Sequence, residues 1–280
     1  MTERNETGSD FVAHWQRESA RLAERGLYSR DDERDSCGVG MVVAIDGKPR
    51  REVVTAGINA LKSVWHRGAI DADGKTGDGA GIHVQIPQEF FKEHVRRTGH
   101  ELIAEGKLAV GMIFLPRTDL AAQETCRSIV ESEIIKFGYQ IYGWRQVPVD
   151  IAALGEKANA TRPEIEQIMI ANTKGGTHSA FERDLYVIRR RVEKAVIAEQ
   201  IKEFYICSLS CRSVVYKGMF LAEALTAFYP DLLDERFVSA FAIFHQRYST
   251  NTFPAWHLAQ PFRVLAHNGE INTIRGNVRW

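Results

Sequence analysis

The sequence predicts an α+β protein, a layered sandwich in which much of the sheet is antiparallel. Two observations carry this expectation. Helix-periodic and strand-periodic segments alternate in groups along the chain, which sets it apart from a strict βαβ alternation. Several links between strand segments are also tight turns, too short for the crossover that a parallel pair requires. With 280 residues, 44% hydrophobic and 26% charged, the chain is long and apolar enough to bury one large core or two small ones.

Charge excludes some function classes. Formal net charge is zero and the pI is near 7.1, so nothing points to nucleic acid or an anionic membrane surface as a partner. No apolar run has the length of a membrane span, and the N-terminus lacks a basic-then-apolar secretory pattern. Four scattered cysteines make no disulfide framework, and a reducing cytoplasm is the expected compartment.

Residues 1–36 differ in character from the rest of the chain, with nine acidic and six basic side chains. Within them, Asp10 to Arg25 places Phe11, Val12, Trp15 and Leu22 on one helical face, with Ser9 as a cap and Gly26 as the stop. The segment reads as an N-terminal arm or as a removable pro-segment. A strand over 37–45 comes next, closed by Asp46-Gly47. Apolar spacing then predicts a helix over 51–65, a loop from His66 to Gly81, a strand at Ile82–Pro87 and a helix over 88–97. Beyond these lie a strand over 108–115, a helix over 119–137 and a strand from Tyr139 to Val147. The segment 150–180 is ambiguous, with Ile165 to Ile170 strand-like and Thr173–Thr177 a loop. Arg183 to Glu199 favours helix. Phe204–Cys207 and Ser213–Tyr216 read as a hairpin, 219–228 as a short helix and Phe237–Gln246 as a strand. A short strand at Val264–His267 and a helix from Glu270 close the chain.

The chemistry centres on Cys37, the first residue of a strand that reads as buried, directly after the charged run Arg30–Asp35. Gly38 and Gly40 clear side chains from beside it. Such a cysteine is either a small core hydrophobe or a nucleophile. If the chain were cut before it, the thiol and a free α-amine, titrating near ~8, would belong to one residue, and the amine could take the thiol proton. The run Gly77-Asp78-Gly79-Ala80-Gly81 lacks the Lys-Ser/Thr of a phosphate loop and precedes a strand, so a close-packed backbone turn is expected. Cys207 and Cys211 lack metal-ligand spacing and read as reduced core thiols. Arg247 ends an apolar strand ahead of Ser249 and Thr250, and serves either as a surface ion pair or as a fork for a carboxylate. Asn268-Gly269 is either an ordinary turn or a pair of donors for one oxyanion.

Taken together, five runs resemble one family. They are Cys37-Gly-Val-Gly, His66-Arg-Gly-Ala69, Gly77-Asp-Gly-Ala-Gly-Ile82, His245-Gln-Arg-Tyr-Ser-Thr-Asn-Thr-Phe-Pro254 and Leu265-Ala-His-Asn-Gly-Glu-Ile-Asn-Thr-Ile-Arg-Gly-Asn277. In that order they resemble the type-2 glutamine amidotransferase domain of the glutamate synthase large subunit. The resemblance implies the N-terminal-nucleophile hydrolase fold, a four-layer αββα sandwich of two antiparallel sheets. It also implies residues 1–36 as a pro-segment that is removed, and residues 37–280 as the amidotransferase domain. By the same resemblance Cys37 is the nucleophile with its α-amine as base, and Asn268 with the Gly269 N–H forms the oxyanion hole. Arg247 holds the substrate carboxylate with Thr250 nearby. L-Glutamine is the implied substrate, and released ammonia converts 2-oxoglutarate to glutamate in the full-length enzyme.

FMN, an iron–sulfur cluster and NADPH or ferredoxin are implied for that full-length enzyme, together with its remaining synthase domains and a small reductase subunit. None of these cofactors is expected within this chain, and no metal site. Because the chain stops within a helical pattern at Trp280, ahead of the family's acid for the substrate amine, a C-terminally incomplete domain of weak activity is expected. Two alternatives stay open. One is another type-2 amidotransferase with a different ammonia acceptor, sharing only the sparser signature of Cys37, Arg247 and Asn268-Gly269. The other is an inactive scaffold that keeps the fold.

Overall fold

The computed structural model describes residues 8–25, 38–102, 104, 107–246 and 253–263. They fall into two compact units. One contains helix α1 (Gly8–Arg25), which starts a residue ahead of the predicted cap, so Ser9 lies inside the helix. The other contains everything from Gly38 to Arg263. The predicted strand at Val264–His267 and the helix from Glu270 lie outside the described residues.

In the second unit the order is β1 (Val39–Val43), α2 (Arg51–Ser63), β2 (Thr76–Gln85), α3 (Gln88–Arg97), β3 (Leu108–Leu115) and α4 (Leu120–Lys136). Then come β4 (Gln140–Gln146), α5 (Glu156–Ala160), β5 (Glu164–Ala171), α6 (His178–Ala198), β6 (Tyr205–Ser210), β7 (Ser213–Phe220), α7 (Leu225–Phe228) and β8 (Phe241–Gln246). The strands form two four-stranded sheets, ordered β1-β8-β2-β7 and β4-β5-β3-β6, and every pairing is antiparallel.

Alternation along the strands explains the layering. In β3, Leu108, Val110, Met112 and Phe114 enter a core shared with β2, β7, β8 and the apolar stripe Val53, Val54, Ile58 and Leu61 of α2. The intervening Ala109, Ile113 and Leu115 face a second core with Cys126, Val130 and Ile134 of α4 and Leu185, Ile188 and Val192 of α6. Both faces of β3 are therefore dry, and its sequence is correspondingly unbroken in apolar residues. A polar network ties the sheets together within the first core. Arg145 of β4 donates to both oxygens of Asp231 (2.6 and 2.7 Å) and to the Gln167 amide oxygen (2.8 Å). Tyr216 of β7 donates to Asp231 (2.8 Å) and accepts from Gln167 of β5 (2.9 Å).

Three expectations are corrected. β1 is an edge strand with Met41 and Val43 respectively 65% and 49% exposed, so it is not buried. β6 and β7 do not form a hairpin, because they belong to different sheets. The turn is built from serine hydroxyls in place of a ladder: Ser208 accepts from Val215 N, and Ser210 accepts from Arg212 N and Ser213 N. Finally, β7 runs on to Phe220, where helix had been expected to begin.

Candidate active site

β1 and β8 are antiparallel, with Val39 opposite His245, so the start of one and the end of the other share an end of the first sheet. There the Gln246 N–H donates to the Gly38 carbonyl at 2.5 Å. Gly38 is the chain neighbour of Cys37, and Gln246 is the chain neighbour of Arg247. A Cβ at Gly38 would lie 2.2 Å from the Gln246 carbonyl oxygen and 3.1 Å from the Arg67 Cβ. Glycine is required here because a neighbouring backbone occupies the space. Cys37, Arg247, Thr250, Asn268 and Gly269 themselves lie outside the described residues, whereas the motifs around them are described.

His66-Arg67-Gly68 follows α2, with Trp65–Arg67 in a single 3-10 turn. The loop is held to β2 by Asp78, whose Oδ1 accepts from Ala69 N (3.0 Å) while its own N–H donates to Ala69 O (3.1 Å). Asp78 is 4% exposed. The predicted Gly-rich turn is thus part of a strand, which is a correction. β2 starts at Thr76 and carries an irregularity between Thr76 and Ala80. The glycines serve close approach: a Cβ at Gly77 would meet Phe220 backbone at 2.5 Å, and one at Gly81 the Gln260 carbonyl at 2.7 Å.

Beside this clamp lies a cavity of about 420 Å³ lined by Ala69, Asp71, Gly77, Asp78, Phe253 and Pro254 among others. Three of the five sequence motifs therefore border one cavity. Its rim includes the Lys157–Asp71 ion pair, at 2.7 Å. Asp73 shapes the loop below it, accepting from Thr76 Oγ1 (2.5 Å) and from the N–H groups of Lys75 and Thr76. The Thr76 hydroxyl, followed by those backbone donors, holds the Asp73 carboxyl well below the usual range.

Three residues near this end escaped sequence reasoning. Asp78 was part of a motif without a role, and its signal was a lone acid within a glycine run. Gln246 is wholly buried with its side-chain amide packed against Gly68, and neither amide atom has a hydrogen-bond partner among the described residues. Lys217, opposite Gly81 on β7, is 1% exposed, and its Nζ donates to the His257 carbonyl (2.8 Å). Burial draws the Lys217 ammonium down to about 8. The described thiols fit the expectation of core residues. Cys207 and Cys211 are buried and free, and burial pushes both up to about 12.

Two stacked antiparallel sheets with helices packed on them form the sandwich of the N-terminal-nucleophile hydrolases. The sequence profile of the class-II glutamine amidotransferases matches residues 37–280, beginning at Cys37, and the chain belongs to that family. Among curated relatives, it is 67% identical over all 280 residues to the glutamate synthase [NADPH] large chain of Azospirillum brasilense. It is 44% identical over 249 residues, 89% of the chain, to ferredoxin-dependent glutamate synthase 1, chloroplastic/mitochondrial, of Arabidopsis thaliana. Over 260 residues it is 41% identical to the glutamate synthase [NADPH] large chain of Bacillus subtilis. The chain spans 18%, 15% and 17% of the length of these three relatives.

Proposed function

We propose that this chain supplies the glutamine-hydrolysing part of a glutamate synthase. Cys37 becomes N-terminal when residues 1–36 are removed, and its neutral α-amine takes the thiol proton. The thiolate attacks the side-chain amide carbon of glutamine, and the oxyanion is held by Asn268 and the Gly269 N–H. As the C–N bond breaks, the α-ammonium returns the proton and ammonia leaves, with a γ-glutamyl thioester remaining on Cys37. Water then attacks the thioester, releasing glutamate and restoring the thiol. Arg247 forks onto the substrate α-carboxylate, with Thr250 beside it.

The Gly38–Gln246 hydrogen bond is the observation that carries this reading, because it joins the chain neighbours of the nucleophile and of the carboxylate anchor. The start of the family match at Cys37 supports processing at the Ser36–Cys37 bond. Ammonia passes to the remaining synthase domains of the parent protein, where 2-oxoglutarate, FMN, an iron–sulfur cluster and NADPH or ferredoxin belong to the proposal. A small reductase subunit and a cytoplasmic location belong to it as well. Among the described residues, no three His, Cys, Asp or Glu side chains gather as a metal site. No described helix is long and apolar enough to cross a membrane.

Arg247→Lys in the complete enzyme tests the anchor. It keeps the charge and loses the fork, so glutamine-dependent activity should fall while activity from added ammonia is spared. Equal loss of both activities would contradict the assignment.

A further inference from the structure

A second cavity, of about 350 Å³, lies next to the first, and Ala160, Thr161 and Pro254 line both. Its polar wall is cationic: Arg117 from the end of β3, Arg162 from the start of β5, and Lys202 after α6, against a single acid, Glu203. Phe114 and Trp256 supply apolar wall. The two guanidiniums are poorly satisfied. Among the described residues, Arg117 Nη2 reaches only the Ala160 carbonyl, at 3.4 Å, and Arg162 Nη1 only the Pro163 carbonyl, at 3.5 Å. Both distances are long for an N–H···O bond. Among the described residues, the Nε atoms of both side chains are buried without a hydrogen-bond partner. Glu164 acts on the Arg162 charge, and its carboxylate already accepts from Gln146 at 2.6 Å.

Two guanidiniums facing one cavity repel each other, and their partial burial leaves less water to screen them. Burial and the Arg117 charge accordingly lower the pKa of Arg162. What resolves this arrangement is an anion whose oxygens take the unused N–H donors, since guanidinium forks match carboxylate and phosphate geometry. We propose that this cavity is a binding site for a small oxyanion, a carboxylate or a phosphate, held between Arg117 and Arg162. The apolar wall at Phe114 and Trp256 leaves room for the organic part of a carboxylic acid.

Isothermal titration of the full protein with inorganic phosphate and, separately, with succinate tests this, at constant ionic strength in chloride buffer. Saturable binding of either probe is expected, and Arg162→Gln should weaken that binding at least tenfold. Saturation by phosphate alone assigns the site to phosphate; saturation by succinate alone assigns it to a carboxylate. In the same chloride buffer without either probe, Arg162→Gln should melt no lower than the parent, because it removes a repulsion. Arg117→Gln gives the same test from the opposite wall if that variant fails to fold. Absence of binding by both probes, or affinities unchanged in both variants, would overturn the proposal.

Discussion

The main-chain N–H of Gln246 donates to the carbonyl of Gly38 over 2.5 Å, closing the end of the first sheet at which β1 begins and β8 finishes. This one bond brings together two chain positions more than two hundred residues apart in sequence. It depends on a residue without a side chain. In Gly38→Ala the new methyl meets the Gln246 carbonyl at 2.2 Å, and a backbone oxygen cannot swing aside as a flexible side chain could. The expected loss of stability is about 1–3 kcal/mol. Displacement of the strand start by even an ångström is expected to lower glutamine hydrolysis roughly 100-fold. Urea melts and a glutaminase assay on the same preparation check both.

The Arg145–Asp231 pair should behave as a buried ion pair. Its side chains are 10% and 3% exposed, and Asp231 also accepts from Tyr216. Arg145→Met leaves an unpaired carboxylate between the sheets and is expected to cost about 3–5 kcal/mol. Arg145→Met combined with Asp231→Leu should recover most of that loss, as chemical denaturation would show.

Stability should fall with acid through two histidines. His83 is buried, with its Nε2 2.7 Å from Ser213 Oγ, and burial pushes its pKa from 6.5 down to about 4. His94 is likewise pushed down to about 4, first by burial and then by the Arg145 charge. Both stay neutral in the fold while the unfolded chain takes up protons below its own pKa. Their contribution is therefore full above pH 6.5, is lost as pH falls from there, and levels off near 4. Thermal melts across that window should show the decline, and His83→Gln should make it shallower, leaving the part due to His94.

Much of this architecture was legible in the chain. α3 at Gln88–Arg97 and β3 at Leu108–Leu115 match their apolar spacing residue for residue, since each is decided by local periodicity. The misreadings arose where a distant segment decides. The Gly77–Gly81 run looks like a loop until Phe220 and Gln260 are seen pressed against it. Ser208 and Ser210 turn an apparent hairpin into a step between sheets, because their hydroxyls take the N–H groups that a ladder would have used. In the sequence, Cys37 and Arg247 stood out by their expected positions at strand ends, whereas Asp78 and Gln246 acquire meaning only through the loop at Ala69 and the backbone at Gly38.

The most direct test is N-terminal sequencing, with intact mass, of the catalytically active protein carrying this chain, after expression of the full-length gene in cells. A mature chain that begins at Cys37, with residues 1–36 lost, is expected, together with no glutaminase activity in a Cys37→Ala variant. A fully active enzyme that still carries residues 1–36 would contradict it, because a nitrogen tied up in a peptide bond cannot accept the thiol proton.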